Sequence, residues 1–366
     1  MASIKKDEKA GTYTVRYRKP DRTTSMKRGF RTKRDAELWM ADNVVKQARG
    51  EFIEVSAGKV TIGTLGPEWL KGQTHLKPST LRVNESAWRV HVEPRWGKTS
   101  LADIRHSDVQ AWLSSLTKAK KSATIVIRCH GVLSRILDIA VKDRRLSANV
   151  AKGVNLPRKG KKEHTYLTHA QVHALAVESK HPTLVLTLAY TGLRWGEVTG
   201  LRVKDVNPLR RRLNVVQNAV AVGNKIEVGT PKTHKKRSVP FPAFLADALT
   251  NQMAGKKPDD LLFPGENGGY LRRTGTSQTS NGWFINAVKR AGLPRLTPHD
   301  LRHTAASLAI SAGANVKAVQ MMLGHASAMM TLDTYADLFP DDLDAVAVAL
   351  NDAALQHIAL KVRSRD

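Results

Sequence analysis

The chain opens with a period-two pattern. Tyr13, Val15 and Tyr17 alternate with Thr14, Arg16 and Arg18, which predicts a strand with one apolar and one basic face. Lys19-Pro20-Asp21-Arg22 is a turn signal, and Thr23 to Arg31 returns as the next strand. Thr32, with Asp35 three residues on, reads as the N-cap of a helix running through Ala36, Trp39, Met40 and Val44. One face of a small sheet is therefore expected to pack on a helix. The other is expected to present Arg16, Arg18, Lys27 and Arg28.

A break at Val55-Ser56-Ala57-Gly58 ends this unit, and the apolar period becomes helical, over about 61–72, 78–91, 106–117 and 122–143. In the last of these, Ile125, Cys129, Val132, Leu133, Ile136, Ile139 and Ala140 form one stripe, a core face rather than a ligand site. Basic residues crowd the surrounding positions, among them Lys118, Lys120, Lys121 and Arg128. Gly153 to Glu163 combines a proline, two glycines and a basic run, which predicts a linker. From Leu167 the order is helix, helix, short strands, then helices to the end, with Val203–Val222 and Lys225–Phe241 predicting a small antiparallel sheet. The expected fold class is multidomain and mainly α, with small antiparallel β-sheets. The expected domains are a sheet-plus-helix unit over 1–55, a helical unit over 61–152, a basic linker over 153–163, and an α+β unit over 164–366 that includes a C-terminal tail helix.

Charge narrows the partner. The 366 residues carry 59 Lys+Arg against 32 Asp+Glu, a net charge of +27. Residues 1–60 hold 15 basic and 8 acidic side chains, 61–160 hold 18 and 7, and the remainder 26 and 17. Charge spread along a chain in this way suits a long polyanion better than an acidic small molecule, and nucleic acid is the expected partner. No run approaches 18 apolar residues, and the opening MASIKKDEKAG lacks an apolar secretory core, so no membrane or export role is expected. The one cysteine, Cys129, can form neither an internal disulfide nor a multi-cysteine zinc site.

The residues with chemical potential lie in the last 200. Thr297-Pro298-His299-Asp300-Leu301-Arg302-His303 reads as a helix start with Thr297 as N-cap, Pro298 at N1 and Asp300 at N3. His299 and Arg302 then share one face at the positive helix end, a place that favours phosphate. His299 and His303 have the spacing of a zinc-protease pair. Asp300 stands where that motif has Glu, and Arg302 disfavours a cation, so no metal is expected. Upstream, Arg194 follows a Gly-containing turn between apolar stretches, with Glu197 three residues on. Lys232 lies in an expected hairpin loop before Arg237, Leu323-Gly324-His325 ends a helix, and Tyr335 follows ten residues after His325.

Taken in order, Thr191-Gly192-Leu193-Arg194-Trp195-Gly196-Glu197, Pro231-Lys232-Thr233, His299-Asp300-Leu301-Arg302-His303-Thr304, Leu323-Gly324-His325 and Tyr335 resemble the tyrosine recombinase (phage integrase) family. The resemblance is to its three-domain, lambda-integrase-like members. It departs from the commoner family spacing by one extra residue between His325 and Tyr335, expected within Ser327–Thr331.

The resemblance implies an arm-type DNA-binding domain, a helical core-binding domain and a catalytic domain. It implies a site-specific DNA recombinase that forms a 3′-phosphotyrosyl link without ATP, metal or other cofactor, and integrates or excises phage or mobile-element DNA. Tyr335 would be the nucleophile, Arg194 and Arg302 the phosphate clamp, Lys232 the general acid, His299 an aid to proton removal, His325 a phosphate ligand, and Glu197 a supporting residue. Arg16, Arg18, Lys27, Arg28, Lys118, Lys120, Lys121 and Arg128 would bind DNA. The implied partners are double-stranded core-type and arm-type sites, three further copies in a homotetramer, a DNA-bending host factor and a directionality factor, in the bacterial cytoplasm at the nucleoid. A type IB topoisomerase would share the chemistry, and a non-catalytic DNA-binding regulator would share the charge.

Overall fold

The computed structural model describes residues 2–19, 22–49, 52, 57–160, 164–230, 236–273, 275, 281–338, 347–348, 350–352 and 354–355. It divides into two compact units, 1–161 and 162–366. No helix among the described residues is long and apolar enough to cross a membrane.

The first unit opens with an antiparallel sheet of three strands in sequential order, β1 (Ser3–Asp7), β2 (Thr12–Arg18) and β3 (Thr24–Phe30). The first strand carries no alternation in its sequence, Ser-Ile-Lys-Lys-Asp, and only the pairing of Ile4 with Val15 reveals it. Helix α1 (Lys33–Ala48) follows, and the Thr32 hydroxyl accepts the Asp35 N–H at 3.1 Å, as the capping signal predicts. Val15, Tyr17 and Ala36 are buried, and Trp39 packs edge-on to Tyr17 at 5.1 Å. Asn43 points inward and Val44 outward, one position off the expected apolar stripe.

Lys27 is a correction. It pairs with buried Val15, and residues directly opposite in a sheet point to the same face. Its Nζ accordingly lies 5.2 Å from the Trp39 ring centroid, on the helix side, while Arg16, Arg18 and Arg28 remain exposed.

Five α-helices build the rest of this unit, α2 (Ile62–Lys71), α3 (Pro78–Ala87), α4 (Glu93–Trp96), α5 (His106–Lys118) and α6 (Ala123–Lys142), with a π-helical turn over Trp88–Val92. Thr61 and Ser122 cap α2 and α6 through their hydroxyls. Val126, Cys129, Val132, Leu133, Ile136, Leu137 and Ala140 of α6 are buried together with Trp69, Trp96 and Trp112. Burial pushes the Cys129 thiol up to about 11, so it is a core side chain and not a reactive one. The segment after α6 is less free than a linker: Val154 packs on this core, and the Asn155 backbone exchanges hydrogen bonds with the Gln110 side chain at 2.7 and 3.3 Å.

The second unit buries α8 (Pro182–Thr191) at its centre, against α7 (His169–Val177) and α12 (Asp300–Ser311). Leu184, Val185, Leu188 and Ala189 of α8 join Leu301, Phe284 and Leu213 in one core. The expected single sheet is two. Strands β4 (Val206–Asn207), β5 (Arg212–Val215) and β8 (Arg237–Pro240) form one, and β6 (Asn218–Val222) with β7 (Lys225–Gly229) a separate hairpin. The segment holding Lys232 thus joins strands of different sheets. Around them lie α9 (Trp195–Val198), α10 (Ala246–Met253), α11 (Trp283–Arg290), α13 (Val316–Leu323) and α14 (Ala328–Tyr335).

Candidate active site

Two glycines set the frame. Helix α8 ends at Gly192 (φ 63°) and α13 at Gly324 (φ 64°), both left-handed, a conformation that costs other residues a steric clash. At the second, the N–H groups of Gly324 and His325 bond the carbonyls of Met321 and Gln320, so the Leu-Gly-His sequence is a helix-closing motif that fixes the His325 backbone. Both positions are also crowded: a Cβ on Gly192 would meet Leu323 at 2.5 Å, and one on Gly324 would meet the Arg237 guanidinium at 2.9 Å.

Helix C-termini expose carbonyls with partial negative charge, and here arginines occupy them. Arg302 is 3% exposed; it donates one Nη to the Gly192 carbonyl and the other to the Leu323 carbonyl, bridging the ends of α8 and α13. Arg194 donates to the Gly324 carbonyl at 3.3 Å. Burial, then the Arg194 charge, lowers the Arg302 pKa from its usual value.

Glu197 balances this charge from a fully buried position. Its Oε1 accepts Arg194 Nη1 at 2.9 Å, and its Oε2 accepts the Arg194 backbone N–H at 2.9 Å. It also takes a two-pronged bond from Arg237, at 2.9 and 2.7 Å. Burial alone would raise the Glu197 pKa, but its bonds to Arg237 and the charges of Arg237 and Arg194 bring it down to about 2. Sequence reasoning missed Arg237. Its only signal was a basic residue at the start of a strand, and one arginine among 59 cations carries no weight.

His299 is exposed at the start of α12, with its ring edge-on to His303 at 5.1 Å. The Thr297 N–H and hydroxyl both donate to Asp300, at 2.7 and 2.8 Å, so Thr297 is a donor to this helix start and not the accepting cap expected. His325 Nδ1 pairs with the Thr331 hydroxyl at 2.9 Å. Desolvation first and the Arg302 charge second bring His325 down to about 4, neutral near pH 7, and the same two causes lower His299, whose ring keeps an open side to solvent.

Tyr335 ends α14 and is 1% exposed, in a cluster with Ala306, Ile310, Val319 and Leu323. Burial pushes its phenol up to about 12, against the opposing pull of Arg302. Its hydroxyl meets His303 Nδ1 at 2.8 Å. The partner is therefore not His299, as expected, but the residue one turn further along α12. The Ser327 hydroxyl caps α14, and residues 328–335 are regular helix, so the ten-residue spacing is accommodated without a break in that helix.

Lys232 lies outside the described residues. Among the described residues, His164, Asp300 and His303 bring ligand-type atoms within 4.8 Å of one another. Asp300 is engaged by Thr297 and His303 by Tyr335, which marks the group as a helix start and a ring stack. Of the DNA-binding candidates in the helical unit, Arg128 lines a cleft with Arg135, Lys159, Ser79 and Thr80, and Lys118, Lys120 and Lys121 lie exposed at the α5–α6 turn.

The phage integrase family model matches residues 158–341, the stretch that carries this arginine cage and the buried tyrosine. The chain belongs to the phage integrase family. Residues 61–117 match the N-terminal SAM-like domain of phage integrases, and residues 3–46 an arm DNA-binding domain. Among curated relatives, the integrase of Mycobacterium phage D29 is 27% identical over 83% of this chain and 84% of its own. The putative prophage phiRv2 integrase of Mycobacterium tuberculosis is 28% identical over 87% of each. A lambda integrase dimer bound to a COC′ core site shares the fold at a TM-score of 0.61 and 20% identity, over 90% of this chain and 93% of that one. This integrase is a tyrosine recombinase, an enzyme of site-specific DNA recombination.

Proposed function

We propose that this integrase cuts and rejoins duplex DNA at attachment sites through Tyr335. The observation that supports it is the cage itself: Arg194 and Arg302, oriented by helix-end carbonyls and Glu197, with His299 one turn before Arg302, His325 following the Gly324 carbonyl that Arg194 bonds, and a buried tyrosine bonded to the α12 residue after Arg302. The Tyr335 oxygen attacks the scissile phosphorus as its phenolic proton leaves with the aid of the neutral His299 imidazole, the bond to the 5′-oxygen breaks, and a 3′-phosphotyrosyl link forms. Lys232 gives the departing 5′-oxygen its proton, and the reverse attack by a 5′-hydroxyl of the other duplex restores the backbone. Phosphoester energy is retained throughout, so the step calls for no ATP.

Arg194 and Arg302 hold the non-bridging oxygens and stabilise the charge of the five-coordinate transition state. With Nδ1 engaged by Thr331, His325 offers Nε2 to the phosphate, and His299 borders it from the exposed side. A bound phosphate raises the pKa of both imidazoles toward the range where they exchange protons. Arg237 and Glu197 act through Arg194.

The 61–152 domain grips the core site together with the catalytic domain across the 153–163 linker. The 1–55 domain holds an arm site through Arg16, Arg18 and Arg28. Four copies assemble on two duplexes, with a bending protein and a directionality factor, at the nucleoid of a bacterial cytoplasm. A lambda integrase tetramer bound to a Holliday junction and Tn1549 transposon integrases bound to circular-intermediate DNA support this reading by analogy of fold.

The test is a nicked suicide duplex bearing the core site. The intact chain is expected to form a covalent adduct and Tyr335→Phe none. An adduct from Tyr335→Phe overturns the assignment.

A further inference from the structure

The mechanism above employs His299 and His325 and leaves His303 without a task, yet His303 is the residue the Tyr335 hydroxyl touches, at 2.8 Å. Its ring is held on two more sides. His164 stacks on one face at 3.9 Å and 27°, and His299 stands edge-on at 5.1 Å and 85°. An imidazole clamped this way cannot turn to another partner. Its backbone follows directly on Arg302, whose guanidinium is tied to two helix ends. The phenol oxygen is thus registered to the helical turn that carries the phosphate clamp.

Two roles are open to such a contact, proton acceptor or holder, and magnitudes separate them. Burial, and after it the neighbouring His164 and His299, lowers His303 to about 3, whereas the phenol stands near 12. A proton does not pass from so weak an acid to so weak a base, and a neutral hydrogen bond is what survives. The bond also satisfies the hydroxyl of a side chain that is 1% exposed and packed with Ala306, Ile310, Val319 and Leu323, where an unpaired polar group is costly.

We propose that His303 is a positioning residue for the nucleophile: its Nδ1 accepts the phenolic O–H and holds Tyr335 buried, neutral and in register with Arg302 until a DNA phosphate enters the cage. This rests on Tyr335 being the nucleophile.

The experiment uses the full chain with three substitutions. His303→Asn places an amide oxygen near the position of Nδ1, His303→Gln places it near Nε2, and His303→Leu removes the acceptor. Nitration of Tyr335 by tetranitromethane, without DNA, is followed on the peptide that contains it. His303→Asn should stay within about twofold of the parent, while His303→Gln and His303→Leu should react about fivefold faster, the change expected from loss of one buried hydrogen bond.

At saturating nicked core duplex, the same two variants should form adduct about tenfold more slowly with unchanged DNA affinity, the signature of misplaced reacting groups. Equal nitration of the Asn and Gln variants overturns the proposal and leaves His303 a packing residue, a contrast that stands even where His303→Leu fails to fold. Nitration needs no cleavage, so an adduct from Tyr335→Phe would sink the nucleophile assignment without touching this result.

Discussion

The arginines of the cage and those of the N-terminal sheet are the same side chain put to opposite uses. Arg194, Arg237 and Arg302 are partly or wholly buried, and each is bonded to Glu197 or to a helix-end carbonyl. Arg16, Arg18 and Arg28 stand exposed on a three-stranded sheet, with Val15 and Tyr17 turned the other way. The first group has lost its hydration and its freedom, so its charge is strong, directional and costly to disturb. The second stays hydrated, although Arg18 donates its Nε to the Arg22 carbonyl at 3.0 Å, so its charge acts additively and is screened by salt. A buried cation can act on one phosphate oxygen. An exposed one can only favour the neighbourhood of many.

Breaking the cage should have the largest effect. Glu197→Ala leaves Arg194 and Arg237 close together with their common carboxylate gone, and removal of one member of a buried ion pair costs about 3–5 kcal/mol. Urea unfolding of the intact chain should show that loss, and adduct formation should disappear with it. Next comes Arg302→Lys. A lysine keeps the charge but cannot span the Gly192 and Leu323 carbonyls, and adduct formation should fall about 10²–10³-fold, as for loss of one oriented transition-state donor. Gel-shift affinity for core DNA should change by less than about threefold, because positioning contacts dominate binding.

Acid tests the same carboxylate without mutation. The folded Glu197 pKa is depressed, from 4.5 to about 2. The stability it contributes is therefore fully present above the unfolded value and is lost as pH falls toward 2, amounting to roughly 3 kcal/mol in all. Thermal melts between pH 6 and pH 2.5 should fall along that window, and Glu197→Gln should flatten this part of the profile. A profile unchanged by Glu197→Gln would mean that another group carries the acid sensitivity.

Effects on the sheet should be smaller and of a different kind. Arg16→Ala or Arg18→Ala should each reduce the salt slope of arm-site binding by about one, with folding stability within about 0.5 kcal/mol of the parent. Lys27→Ala should do the reverse. Its ammonium lies over Trp39, so stability should drop by about 0.5–1 kcal/mol while the salt slope barely moves. Equal salt slopes for Lys27→Ala and Arg16→Ala would return Lys27 to the DNA face.

Much of the fold was legible because it rests on short-range patterns. Thr32 capping α1, the helices near 62–71, 106–118 and 123–142, and the buried face of α6 follow from residues within a turn or two of one another. Strand β1 escaped notice because a strand paired on one side and solvated elsewhere needs no apolar period. The division of the second unit's strands into two sheets escaped it because pairing of β5 with β8 joins residues far apart in sequence, from Val215 with Arg237 to Arg212 with Pro240. In the site, Arg194 and Glu197 share one helical turn and were readable as a pair. Arg237 reaches Glu197 across 40 positions, and no local rule points to it.

The sequence alone determined the chemistry available: a tyrosine, two phosphate-geometry arginines, histidines at helix ends, and glycines where a chain must turn left-handed. Residue type and spacing supply those groups, since caps, periods and turns are local properties, and the resemblance to the family is what singles them out as a reacting set. Only the tertiary structure decided how these groups are used. It set Arg302 across the ends of α8 and α13, gave Glu197 a second arginine, turned Lys27 toward Trp39, and brought Tyr335 to His303 and not to His299. Those outcomes depend on which surfaces are buried against each other, and burial fixes both the partner and the strength of every charge.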